Sequence, residues 1–441
     1  MEHRAALCAA VTTLCGVWWV FEPIPIPATS LIPFALFPIM GILDARTVAT
    51  AYGHDLIILL LGGFILSTAM EKSGAHRRLA LGMVRVVGGV GGRRLVLGFM
   101  LASSMLSMWI SNTATTLMLL PVALAALESA DDDRLTISLL LGIAFAANIG
   151  GIGTPVGTPP NVIFMGIYAD QVGKQVSFLD WMKIGVPIVV LFVPLVWLWL
   201  TRNLAPGKRL ALPDSGSWRA EEQRVLIVFG LTALAWITRS EPDGGWSALI
   251  GAVDDAGRPT VGDSTVALLS VVVMFIVPNG AGGRLLDWKT ANRIPWGLLI
   301  LFGGGIAIAR GFRETGLSAG LGELLSQLAD WPLLLMIATV CISVTFLTEI
   351  TSNTATTSLL MPILAAAGIA AAIDPAQLMV PAAASASCAF MLPVATAPNA
   401  IVFGTGKLSV RTMMREGFAL NLIGAAVITV VCYLLLRDGL G

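Results

Sequence analysis

Two stretches decide how this chain is read: "WISNTATTLMLLP" at 109–121 and "EITSNTATTSLLMP" at 349–362. Each places the polar run Ser-Asn-Thr-Ala-Thr-Thr inside an apolar segment. The 441 residues around them are 56% hydrophobic and 12% charged, with a mean hydropathy of +0.84. A soluble chain of this length needs far more charge to cover its surface. Apolar runs near bilayer length recur throughout, which predicts an all-α polytopic membrane protein. Formal net charge is zero, so no bulk electrostatics point to nucleic acid. Cys8, Cys15, Cys341, Cys388 and Cys432 sit in apolar segments without pairing or metal-ligand spacing and read as packing residues. The first segment, "AALCAAVTTLCGVWWVF", resembles a signal-peptide core. No small-x-small cleavage site follows and further spans do, so it reads as a transmembrane helix.

The polar run belongs to a longer duplication. "LLLGGFILSTAMEKSG" (59–74) aligns with "ILFGGGIAIARGFRETG" (300–316). Gly62 and Gly303 are separated by 303 − 62 = 241 positions, as are Asn112 and Asn353. "VGTPPNVIFMG" (156–166) then echoes "VATAPNAIVFG" (394–404). Three blocks in one order indicate two homologous halves, 1–203 and 224–441, joined by a linker at 204–223. The first half offers spans near 5–21, 30–43, 54–70, 135–168 and 183–203; the second offers 224–239, 264–279, 295–310, 376–404 and 415–437. An odd number of crossings per half makes the second half enter from the opposite side, as an inverted repeat.

The segments holding the polar runs have two short apolar legs each. Residues 95–110 make about 24 Å of helix and 114–127 about 21 Å, short of a core of roughly 30 Å. This favours re-entrant hairpins at about 95–127 and 332–368 over a single long kinked helix. The spans at 135–168 and 376–404 carry "GGIGTPVGTPPN" and "LPVATAPN" and read as broken helices. With this topology, 18 of the 27 Lys and Arg fall on one side, which is then cytoplasmic. Both termini are expected on the periplasmic or extracellular side of the plasma membrane.

Ser, Asn and Thr at a tip offer uncharged oxygens. Irregular backbone at membrane depth is tolerated only where it is buried in protein or faces water. Free N–H groups at the start of a second leg attract anions. Free carbonyls with Ser, Thr and Asn oxygens suit a small hard cation such as sodium. Two polar tips thus make one shared ion and substrate site. Ser107 and Thr348 stand four residues before Ser111 and Ser352, one helical turn away. The competing reading is that Ser, Thr and Gly here only pack helices closely. Glu349 beside the second tip reads equally as a functional charge or as a tip anchor.

These residues resemble the divalent anion:sodium symporter family, the solute carrier 13 group of di- and tricarboxylate transporters. The resemblance covers nearly the whole chain. It implies a homodimer with scaffold and transport domains and an elevator mechanism. It also implies a sodium site at Ser107, Ser111 and Asn112 with the Gly157 backbone. A second would use Thr348, Ser352 and Asn353 with the Ala395 backbone, about one sodium ion per hairpin tip. Substrate carboxylates would meet Asn112, Thr113, Asn353 and Thr354, with Thr158, Pro159, Thr396 and Ala397 lining the rest. Ala397 stands where the family has a first proline.

The function expected is sodium-coupled import of dicarboxylates of the succinate, malate and fumarate class. The nearest alternative is a sodium-independent dicarboxylate exchanger of the same fold; an anion channel or a citrate or sulfate transporter fits less well. An enzyme would need a nucleophile–base pair or metal cluster, and the sequence offers neither.

Overall fold

In a computed structural model, the chain is described over residues 2–88, 91–127, 132–204, 216–241, 244–254, 259–325 and 331–440. Most of the linker expected at 204–223 lies outside these residues. Among the described residues every regular element is a helix.

The first half runs α1 (Glu2–Phe21), α2 (Ile26–Thr29), α3 (Ile32–Ile39), α4 (Ala45–Tyr52), α5 (Asp55–Ser73) and α6 (Ala75–Gly88). It continues with α7 (Gly92–Ser107), α8 (Asn112–Leu127), α9 (Asp133–Gly151), α10 (Pro159–Val172) and α11 (Phe178–Thr201). The second half runs α12 (Ala220–Ile237), α13 (Gly245–Leu249), α14 (Asp263–Ile276), α15 (Trp288–Ala291), α16 (Trp296–Thr315) and α17 (Leu317–Leu325). It closes with α18 (Leu333–Leu347), α19 (Asn353–Ala370), α20 (Ala376–Ala386), α21 (Ala397–Phe403) and α22 (Val410–Leu436). Seven of the described helical stretches are long and apolar enough to cross a bilayer.

Several boundaries depart from the sequence expectation for physical reasons. The span placed at 183–203 begins at Phe178, because Ser177 and Asp180 form a reciprocal capping box there. The span placed at 415–437 begins at Val410, where the Ser409 hydroxyl caps the Thr412 N–H. Charged residues in those first turns hid the helix starts. The span placed at 30–43 is interrupted around Ser30 and Leu31 and ends at Ile39; α4 follows as a separate helix capped by Asp44.

Packing places the two polar motifs around one centre. Helix α9 packs against both α7 and α8, and α20 packs against both α18 and α19. The second pieces of the interrupted helices then cross over. Helix α10 lies on α19 and α20, and α21 lies on α8 and α9. Glycine makes the closest approach possible: a Cβ at Gly150 would lie 2.2 Å from the Ser104 carbonyl oxygen, so α9 and α7 meet backbone to backbone. At the end of α10, the Asp170 carboxylate is 2.8 Å from the Arg310 guanidinium of α16. The same guanidinium also donates to the Thr47 carbonyl and the Thr50 hydroxyl of α4.

Candidate functional site

The serine of each motif sets where a helix starts. The Ser111 hydroxyl accepts from the Ala114 N–H at 3.1 Å, and the Ser352 hydroxyl accepts from the Ala355 N–H at 3.5 Å. These are N-cap contacts. Asn112 and Asn353 are therefore the first residues of α8 and α19, and the Thr-Ala-Thr-Thr that follows forms the first helical turn. Behind each asparagine stands the hydroxyl one turn back on the preceding leg. Ser107 donates to Asn112 Oδ1, and Thr348 donates to Asn353 Oδ1 at 2.5 Å. Ser107 and Thr348 are fully buried.

The interrupted helices are held open by a second pair of asparagines. Asn161 Nδ2 donates to the Gly151 and Thr154 carbonyls at 2.9 and 2.7 Å. Asn399 Nδ2 donates to the Ala389 and Leu392 carbonyls at 2.9 and 3.1 Å. Each side chain takes up carbonyls at the break, and those of Thr154 and Leu392 also accept a turn N–H, from Gly157 and Ala395. Trp181 on α11 takes another, its indole N–H donating to the Ile152 carbonyl at 2.8 Å.

One cavity of about 810 Å³ joins these pieces. From the first half, Ser111, Asn112, Thr113, Gly157, Thr158 and Pro159 line it. From the second, Ser352, Asn353, Thr354, Ala395, Thr396 and Ala397 do. Ser107 and Thr348 stand behind their asparagines rather than in the wall. Gly151 leaves room for the first tip: a Cβ there would lie 2.9 Å from Asn112 Oδ1. Ala397 is the first residue of α21 and keeps an N–H that Pro159, at the same place in α10, lacks.

Charge around the cavity is sparse and mostly negative. Its wall holds Glu22, Glu71 and Glu349 but one basic residue, Arg293. Glu349 is occupied by structure. Its carboxylate accepts from the backbone N–H groups of Phe390, Met391 and Leu392 at 2.7 to 3.0 Å and from Asn421 Nδ2 at 2.7 Å. It anchors the second tip to the break between α20 and α21. Glu349→Gln replaces one acceptor oxygen with an amide that meets donors, so stability should fall by roughly 3 kcal/mol. A thermal-shift measurement on purified protein checks this, and a wild-type melting temperature would contradict the anchoring role.

Sequence reasoning missed three residues here. Asn161 and Asn399 were visible as a repeated Pro-Asn pair, but their carbonyl partners were not. Asn148, 2% exposed and part of the cavity wall, was missed altogether. Its Nδ2 donates to Thr396 Oγ1 at 3.0 Å and to Asn399 Oδ1 at 3.4 Å.

Among the described residues, seven helices are long and apolar enough to cross a membrane, and an oxygen-lined cavity lies between helix starts, a setting that suits ions and a polar substrate. Comparison with known proteins agrees. Residues 1–436 match the family model described as the sodium:sulfate symporter transmembrane region. The chain belongs to this family, the divalent anion:sodium symporters, and is a membrane transporter rather than an enzyme. It is 41% identical over 466 aligned positions to the sodium-dependent dicarboxylate transporter SdcS of Staphylococcus saprophyticus, covering all of this chain and 88% of the relative. SdcS of Staphylococcus aureus is 40% identical over the same span. Among solved structures, the Alcanivorax borkumensis YdaH transporter superposes with a TM-score of 0.65 at 15% identity, covering 95% of this chain and 97% of that one. Neisseria gonorrhoeae MtrF gives 0.64 at 11% identity, covering 99% and 95%. These two likenesses concern the fold.

Proposed function

We propose that the protein imports dicarboxylates of the succinate, malate and fumarate class together with sodium. The observation that carries this reading is the shared cavity. Two asparagine–hydroxyl pairs, Asn112 with Ser107 and Asn353 with Thr348, meet two interrupted helices there. The relatives named sodium-dependent dicarboxylate transporters support the ion and the substrate class. One sodium ion would sit at each tip, held by Ser107, Ser111, Asn112 and the Gly157 backbone on one side. Thr348, Ser352, Asn353 and the Ala395 backbone would hold the other. The two carboxylates would lie between them, against Asn112, Thr113, Asn353 and Thr354, with Thr158, Pro159, Thr396 and Ala397 closing the space.

In this reading the halves form an inverted repeat, α7–α8 and α18–α19 are re-entrant hairpins, and a homodimer carries substrate by an elevator movement. With both termini outside, Glu22, Glu71 and Arg293 at the cavity wall follow the first and third spans and precede the eighth, which puts them on the cytoplasmic side, so in this reading the cavity opens inward. The Asp170–Arg310 pair lies at the end of α10, toward the side taken as periplasmic. Accumulation of radiolabelled succinate by proteoliposomes under an inward sodium gradient tests the proposal; no accumulation above empty vesicles would sink it.

Orientation has its own test. The native cysteines are all buried, so background labelling is low. Arg77 and Glu314 are exposed, the first on the side assigned to the cytoplasm and the second on the opposite side. In intact cells an impermeant thiol reagent should label Glu314→Cys and spare Arg77→Cys. The reverse pattern would invert the topology.

A further inference from the structure

The two halves of the site are not wired alike, and the difference lies at Asn148. Asn399 fixes the first link. Its Nδ2 donates to two carbonyls, Ala389 and Leu392, which only accept, so its Oδ1 must be the atom turned toward α9. That oxygen demands a donor, and Asn148 Nδ2 meets it at 3.4 Å. The same Nδ2 reaches Thr396 Oγ1 at 3.0 Å. Thr396 Oγ1 also caps its own helix, accepting from the Asn399 N–H at 3.3 Å. A hydroxyl oxygen has two lone pairs and one proton. Both lone pairs of Thr396 are thus taken by protein donors, and only its O–H remains for the cavity it lines.

The other half lacks this wiring. Gly151 and Ala389, and Thr154 and Leu392, correspond at an offset of 238 positions, which pairs Asn148 with Ala386. An alanine has no amide to offer. Accordingly Asn161 Oδ1, the mate of Asn399 Oδ1, is buried without a hydrogen-bond partner. Thr158, the mate of Thr396, makes no side-chain capping bond.

We propose that Asn148 is a positioning residue that commits the Thr396 hydroxyl to donating, and so reserves it for a substrate carboxylate rather than a cation. This rests on the reading of the cavity as the substrate site. A sodium ion needs lone pairs, and Thr396 has none left; a carboxylate needs donors, and Thr396 has one aimed by exclusion. Without Asn148 the hydroxyl regains a lone pair and is free to rotate, so anion binding weakens while the sodium ligands at both tips stay in place. The dicarboxylate site is therefore asymmetric inside a nearly symmetric frame, with one dedicated donor on the α21 side.

The test is a double-mutant cycle read by sodium-driven succinate uptake in proteoliposomes. Thr396→Val and Asn148→Ala should each raise the succinate KM about tenfold, with the sodium concentration for half-maximal uptake shifting less than twofold. The pair Asn148→Ala with Thr396→Val should be little worse than Thr396→Val alone, because both changes remove the same donor. Asn148→Ala with Thr158→Val should instead multiply their separate effects. Asn148→Ser, which keeps a polar group but falls short of both partners, provides a second variant and should match Asn148→Ala in KM. If Thr396→Val leaves KM unchanged, the substrate-site reading fails and this inference with it. If Thr396→Val raises KM while the Asn148 variants keep wild-type values, or if the Asn148 and Thr396 effects multiply, Asn148 does not act through Thr396 and the inference alone is overturned.

Discussion

Asn112→Ala and Asn353→Ala are each expected to reduce succinate uptake by more than a hundredfold while the purified proteins remain folded. Each asparagine holds the first position of a helix beside the cavity, and its Oδ1 is already turned to a buried hydroxyl, Ser107 or Thr348. In the proposed site the carbonyl oxygen of each side chain faces a sodium ion and the amide faces a carboxylate. Truncation removes both contacts. The hydrogen bond from the amide to a charged carboxylate contributes about 1.5–3 kcal/mol, and the lost sodium ligand adds to that. Every 1.4 kcal/mol is about a factor of ten. Folding should survive because the N-caps belong to Ser111 and Ser352, which are unchanged. The checks are uptake rate beside a size-exclusion profile. Wild-type uptake by either variant would refute the shared site; misfolding of both would favour a packing role for the motifs.

Sodium dependence is the second large effect. A dicarboxylate brings two negative charges to a cavity whose wall holds Glu22, Glu71 and Glu349 against Arg293 alone. Burying those charges without compensation is prohibitive. Helix starts supply only about half a unit of positive charge each, so in the proposed function the balance arrives with bound cations. Ser107→Ala and Thr348→Ala remove the hydroxyl behind each tip asparagine. Each should raise the sodium concentration for half-maximal uptake at least tenfold, with lithium substituting poorly in the wild type. Sodium titration of the initial uptake rate reads this; unchanged values in both variants would remove these hydroxyls from the ion sites.

Much of this site was legible in the sequence because its parts recur. The duplicated Ser-Asn-Thr-Ala-Thr-Thr marked both helix starts, and Gly-Thr-Pro-Pro-Asn and Ala-Thr-Ala-Pro-Asn marked both interruptions. Of the fourteen positions that the family resemblance implied, twelve line one cavity, and Ser107 and Thr348 stand behind its asparagines. Asn148 escaped notice because it has no counterpart: position 386 is alanine, and its partner Thr396 lies 248 residues away. Glu349 could not be assigned because its acceptor role depends on backbone N–H groups at 390–392, which have no sequence signature. Helix starts at Phe178 and Val410 were blurred because capping residues and charges dilute the apolar pattern.

The central claim is that anion and cation share one site, and equilibrium binding tests it without the movement of transport. Calorimetric titration of purified protein with succinate in sodium buffer should show saturable binding. In potassium-only buffer the affinity should fall by at least a hundredfold. Tight succinate binding in potassium, unchanged on adding sodium, would contradict the account and favour a sodium-independent exchanger.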